Sequence, residues 1–185
     1  MDLFEILKTR RSVRKYEPDP VDETKLEKIL DAARYAPSWV NCQCWELILV
    51  RDEGMKQKLS ETLPDNNPAK KAVATAPLVI VALGRTGVSG VKKDGGFETR
   101  HGDWFMFDVA LVLHQLSLAA WGLGLGTVHV GLFDHDAAAR LLDVPEGLEV
   151  VELMPIGTPA VPNKKAPKRK EIHEFVFEER YPKKA

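Results

Sequence analysis

Three arginines stand within five residues in Arg10-Arg11-Ser12-Val13-Arg14. A guanidinium offers planar, paired donors that match a phosphate, and the Ser12 hydroxyl adds a neutral donor. Read from composition alone, the same run also fits a solvated basic loop. A second polar cluster, Pro37-Ser38-Trp39-Val40-Asn41-Cys42-Gln43-Cys44-Trp45, sets side-chain amides between tryptophans. Asn41 and Gln43 each present a donor and an acceptor, which suits the edge of a heteroaromatic ring. A helix-to-strand turn with a core tryptophan is the alternative. A third cluster, Lys164, Lys165, Lys168, Arg169 and Lys170, is either a phosphate clamp or a solvated tail.

No carboxylate pair, Ser-His-Asp order or Cys-His motif stands out in the chain. Hard chemistry would therefore have to come from a bound cofactor. Cys42 and Cys44 are too close to close a useful disulfide loop and lack a second ligand pair for a metal, so they read as reduced, structural thiols. His101, His114, His129, His135 and His173 are scattered, with no metal-binding spacing. Gly122, Gly124 and Gly126 do not match a dinucleotide fingerprint and follow a helix pattern, so they read as a helix end.

These clusters need elements to position them. Leu3 to Leu7 predict a short first helix. Asp22 is a fair N-cap for a second, with Leu26, Ile29, Leu30 and Ala33 on one face. Trp45 to Val50 predicts a strand, and residues 54–63 a short helix. Leu78 to Leu83 is a continuous apolar run, as in a buried central strand. Five glycines between 84 and 100 predict a mobile loop. Residues 103–121 predict a helix apolar nearly all round, hence buried in the core or at a subunit interface. A strand near 127–131, a helix at 134–143 and a strand at 149–156 follow, then a proline-marked tail. Helices and strands mix without regular βαβ alternation, which favours an α+β fold over a doubly wound sheet.

The chain has 185 residues, enough for one domain over 1–185 with a sizeable core. Net charge is −1, with 26 basic and 27 acidic residues, so no nucleic-acid partner is expected. No signal peptide is visible at Met1-Asp2-Leu3-Phe4-Glu5. No apolar run approaches a bilayer span, so the expectation is a cytoplasmic protein without a membrane partner.

Taken in order, the segments resemble the nitroreductase family of flavoproteins. The marks are Arg10 to Tyr16, Ala36-Pro37-Ser38 with Gln43-Cys44-Trp45, Asp108 to Thr127, Met154 to Pro159, and the basic tail. The resemblance covers Leu3 to about Phe175. The family usually has Pro where Cys44 stands, and residues 84–100 are short beside larger relatives. The resemblance implies an α+β nitroreductase-like fold with a mixed central sheet flanked by helices. It implies a homodimer with an exchanged C-terminal tail. It implies FMN as cofactor, NADH or NADPH as electron donor, and a small nitroaromatic, quinone or enone as acceptor, reduced by a ping-pong mechanism. By match of position it assigns Arg10, Ser12 and Arg169 to the phosphate and ribityl end and Arg14 to the pyrimidine edge, with Arg11 and Lys168 as further cofactor-binding residues. Pro37, Ser38 and Asn41 approach the flavin, lent by the partner subunit, and Gln43 is a further cofactor-binding residue. His129, Val130 and Gly131 pass the ring with their backbone, and Lys71 is a further contact. Alternatives are a flavin-binding carrier or sensor, or a dehalogenase or flavin-cleaving enzyme.

Overall fold

A computed structural model describes residues 1–161 and 166–182. Its centre is the apolar run read from the sequence, now β2 (Leu78–Arg85). β2 pairs with β1 (Trp45–Val50) on one side and with β4 (Leu148–Gly157) on the other. The two-residue β3 (Gly126–Thr127) completes the order β1-β2-β4-β3.

Side chains alternate across a strand, so β2 feeds two cores. Leu78, Ile80 and Ala82 face α2 (Glu23–Ala33) and α5 (Phe105–Gly122). Val79, Val81 and Leu83 join the opposite core, which holds Leu59 of α3 (Glu53–Glu61), Val73 of α4 (Lys70–Thr75) and Ala138 of α6 (His135–Leu141). Four helices start on an aspartate that accepts a backbone N–H: Asp2 for α1 (Leu3–Thr9), Asp22 for α2, Asp52 for α3 and Asp134 for α6. Each such cap stabilises by about 1 kcal/mol.

Two expectations need correction. The named strands pair only antiparallel, not as a mixed sheet; the parallel element among the described residues is an isolated bridge, Ser12 to Thr127. The link from β1 to β2 runs through two helices, α3 and α4, and returns the chain in the reverse direction. Second, α5 has 18 residues and a mean hydropathy of 1.3, so by length and composition it reaches the span of a membrane. Half of it is buried inside this fold, as befits the core helix of a globular domain.

Smaller differences follow from packing. The strand near 127–131 is only two residues long, followed by a single bridge from Val130 to Leu153. The glycine-rich segment is less open than its composition suggests. Gly84 lies inside β2, and Ser89 is fully buried, its carbonyl accepting from the Trp104 N–H at 2.9 Å. Gly90 sits at φ +68° against the Trp104 ring, where a side chain would collide.

Candidate functional site

The first basic cluster is held by the sheet edge. Ser12 bridges Thr127, and the Val13 N–H donates to the Thr127 carbonyl at 2.9 Å. Further on, Tyr16 bridges Pro159, and the Tyr16 hydroxyl donates to the Val13 carbonyl at 2.6 Å. Burial pushes the Tyr16 phenol above its ordinary range, against the opposing pull of Arg14, so it stays a donor. In this extended stretch Val13 points inward, while Ser12 and Arg14 are exposed.

The three arginines then part company. Arg11 turns back and donates to the carbonyls of Lys8 and Arg10 at the end of α1, at 2.8 and 2.7 Å. That contact caps the end of the helix through Nη1 alone. Arg10 is different: its Nη1 is buried and has no hydrogen-bond partner among the described residues. Burial first, then the charges of Arg11 and Arg169, lower its pKa from the ordinary value. A half-buried guanidinium that faces other cations, with no carboxylate paired to it among the described residues, is unfavourable until an anion joins it. The cluster therefore fits a phosphate. Of the basic tail, Lys168 and Arg169 are exposed, whereas Lys164 and Lys165 lie outside the described residues.

The amide-rich loop is organised elsewhere. A short 3-10 turn spans Trp39–Asn41, and Val40, Asn41 and Gln43 all have positive φ. Val40 is β-branched at φ 40° and 88% exposed, so no side-chain packing of its own compensates the strain. The Ser38 hydroxyl accepts from the Gln43 N–H at 2.9 Å, and the Asn41 carbonyl oxygen accepts from the Gln43 amide at 3.3 Å. Pro37, Asn41 and Gln43 remain exposed. Asp108 of α5 anchors the loop by accepting from the Trp39 N–H at 3.1 Å.

The segment expected beside a flavin ring shows a dyad. Nδ1 of His129 lies 2.6 Å from the Glu152 carboxylate. The Val130 N–H is spent on the Leu153 carbonyl at 3.1 Å, which leaves the N–H groups of His129 and Gly131 for a ligand. Lys71 is exposed on α4, and among the described residues no hydrogen bond or ion pair ties it to the arginines. Two open depressions are lined by other residues, one by Thr62, Leu63 and Phe133, the other by Thr86, Phe97 and Glu149.

The positions of the two clusters along α5 decide how a ligand can be bound. The loop is tied to Asp108 near the start of α5. Thr9, beside Arg10, accepts from the Trp121 indole near its end, at 3.0 Å. Those anchors are 13 residues apart, which is about 20 Å along a helix. Along α5, from its first turn, runs an exposed stripe with Met106 (59%), Phe107 (54%), Ala110 and His114, and α1, which packs on α5, exposes Leu3, Phe4 and Leu7. Sequence reasoning did not single out Asp108, His114 or Glu152. Asp108 had a signal, being the one carboxylate in α5.

The nitroreductase family model matches residues 7–158. A Methanothermobacter thermautotrophicus protein, whose name pairs NADH dehydrogenase with NAD(P)H nitroreductase, is 35% identical over 86% of this chain and 78% of its own. The FMN reductase [NAD(P)H] of Bacillus subtilis is 28% identical over 90% of this chain and 70% of its own. An FMN-dependent nitroreductase structure from Clostridium difficile superposes with a TM-score of 0.80 at 25% identity, covering 96% of this chain and 99% of its own.

Proposed function

This chain belongs to the nitroreductase family, and from that premise we propose that it is an FMN-dependent oxidoreductase that takes electrons from NADH or NADPH and passes them to a small organic acceptor. The observation that carries the reading is the buried, unpartnered Nη1 of Arg10, set among Arg11 and Arg169. The phosphate of FMN supplies the missing anion. Bound FMN supplies the two-electron chemistry, which suits a chain without nucleophile or acid-base dyad of its own in the arginine cluster.

The chain's residues bind and orient. Arg10 and Arg169 hold the phosphate end, with the exposed Ser12 hydroxyl beside them on the same extended segment. Arg14, two residues further on the same side, offers positive charge to the pyrimidine edge. His129 and Gly131 present backbone N–H groups toward the ring. A single cavity that admits donor and acceptor in turn gives ping-pong kinetics.

The working unit in this proposal is a homodimer. Ser38, Asn41 and Gln43 lie at the far end of α5 from Arg10, too distant to share its ligand comfortably within one chain. Antiparallel pairing of two α5 helices along the exposed apolar stripe brings each loop to the other chain's arginines. It also removes Met106 and Phe107 from water, at roughly 25 cal/mol per Å² of apolar surface. The tail leaves Ile172 (72% exposed), Phe175 (57%) and Val176 (52%) largely uncovered by the described residues of its own chain. Exchange across the dimer buries them.

The test is the flavin content of the purified or reconstituted protein. FMN in amount equal to the chains is expected. FAD, or no flavin after reconstitution, would overturn the proposal.

A further inference from the structure

We propose that Asp108 is the positioning residue of the Ser38–Cys44 loop, holding it from below in the strained form that meets the flavin. The inference rests on the functional reading above for the flavin, but not for the loop.

Four donors converge on this one carboxylate. The Trp39 N–H lies 3.1 and 3.2 Å from its two oxygens. The Ser89 hydroxyl donates to Oδ2 at 2.7 Å. The thiols of Cys42 and Cys44 donate to the same oxygen at 3.4 and 3.5 Å. Asp108 is 1% exposed, so water cannot take over any of these bonds. Three of the four donors come from residues 39–44, the segment in which Val40, Asn41 and Gln43 have positive φ. Left-handed backbone at non-glycine residues persists only where the surroundings over-determine it. Within the loop, Ser38 and Asn41 each supply one side-chain bond to Gln43, and the Asn41 and Cys42 N–H groups donate to the Ser38 and Trp39 carbonyls; Asp108 supplies the ties from the loop to α5. The carboxylate sits on the buried face of α5, so the loop takes its position from a helix packed on the sheet and on α2. A carboxylate suits the place because it accepts at every lone pair, whereas an asparagine would aim its NH2 at donors.

The same three residues, Cys42, Cys44 and Asp108, have ligand atoms all within 4.8 Å of one another. Two observations favour hydrogen bonding. Both thiols aim at one oxygen, and that oxygen already accepts from Ser89.

The experiment compares the full-length protein with Asp108→Asn and with Cys42→Ala, which removes one loop donor at a partly exposed site and so guards against misfolding. Hydrogen exchange is read over residues 38–44, FMN affinity by fluorescence titration, and zinc content by mass spectrometry. Asp108→Asn is expected to lose exchange protection in the loop while β2 keeps its own, and to bind FMN at least tenfold more weakly. Cys42→Ala is expected to show the same changes to a smaller degree. A mixed dimer of Asp108→Asn and Arg10→Ala chains supplies the readout that a merely structural role leaves unmoved. One of its two sites pairs an intact clamp with an intact loop, so half the sites should regain wild-type affinity. Unchanged loop protection in both variants would overturn the proposal, as would loop release with unchanged FMN affinity. Stoichiometric zinc that Cys42→Ala abolishes would overturn it too, because Asp108 would then be a metal ligand. If the wild-type protein binds no FMN, the functional reading fails, and the exchange data still decide the role of Asp108.

Discussion

The Trp121 indole N–H donates to the Thr9 hydroxyl at 3.0 Å and so fixes the segment that enters Arg10 to the C-terminal end of α5. Thr9 in turn donates to the Glu5 carbonyl at 2.6 Å, so the last turn of α1 is included in the joint. The arginine clamp is therefore positioned by the same helix that positions the amide-rich loop, at its other end. One rigid element sets both halves of the proposed site.

Arg10→Ala is expected to weaken FMN binding. A charged hydrogen bond contributes roughly 1.5–3 kcal/mol, which corresponds to about tenfold to a hundredfold in affinity. The unliganded variant should be no less stable than the parent, because the substitution removes a half-buried cation whose Nη1 has no partner among the described residues. Fluorescence titration and thermal unfolding check the two halves. An unchanged affinity would take Arg10 out of the site.

Gly126→Ala is expected to distort the phosphate-binding segment from behind. An added Cβ at Gly126 would collide with the Val13 side chain, lying 2.7 Å from its Cβ. Val13 sits between Ser12 and Arg14, so pushing it outward moves both. Overpacking of this kind costs typically about 1–3 kcal/mol. Val13→Ala in the same chain should recover part of the stability and part of the FMN affinity, because the two sites are coupled. Additive losses in the double variant would show that the collision is relieved some other way.

Folding stability is expected to fall as the medium turns acid. Desolvation first, then His129 and Arg10, hold His114 below its ordinary value of 6.5. Its lowered pKa costs nothing where the imidazole is neutral in both the folded and the unfolded chain, above that value. As pH falls from 6.5 through the lowered value, the unfolded chain takes up the proton more readily, and stability is lost. Thermal unfolding between about pH 7 and 5 should show decreasing stability, and His114→Gln should flatten that dependence. A pH dependence that His114→Gln leaves unchanged would show that other groups carry it.

Cys44 is expected to resist alkylation in the folded protein. It is 3% exposed, and burial, then Cys42 and Asp108, push its thiol above the ordinary range. The thiolate is the reactive form, so both accessibility and ionisation oppose reaction. Iodoacetamide followed by peptide mass mapping should mark Cys42 first and Cys44 only after unfolding. Equal rates in the native protein would contradict the packing described.

Much of this fold was legible in the sequence, for identifiable reasons. β2 announced itself because Leu78 to Leu83 is apolar at every position, and both of its faces are buried. α5 did so by length and by the lack of a polar face. α4 was missed, since Lys70–Thr75 is six residues without a side-chain cap and is held by packing of Ala72 and Val73. The antiparallel direction of the sheet was not legible, because strand direction is a long-range choice. Arg10 and Arg11 are neighbours of one type, yet only the fold shows that one caps a helix and the other is left without a partner. Asp108 was hidden for a similar reason: Trp39 stands 69 positions away in the chain.

The tail ties the dimer claim to the cofactor claim. Removing residues 171–185 deletes Ile172, Phe175, Val176 and Phe177, all exposed on the single chain. Dimerisation and FMN binding should weaken together, seen by sedimentation and flavin absorbance. A truncated monomer that still holds FMN tightly would place the whole site within one chain.

The central claim is electron transfer from a nicotinamide through this protein to an organic acceptor, and anaerobic titration tests it most directly. Purified, FMN-reconstituted protein is titrated with NADH and, separately, NADPH, and the yellow absorbance is followed. The account predicts bleaching in proportion to the nicotinamide added, and return of the colour when a quinone or nitroaromatic is then supplied. Flavin that stays bound and yellow with both nicotinamides would contradict it.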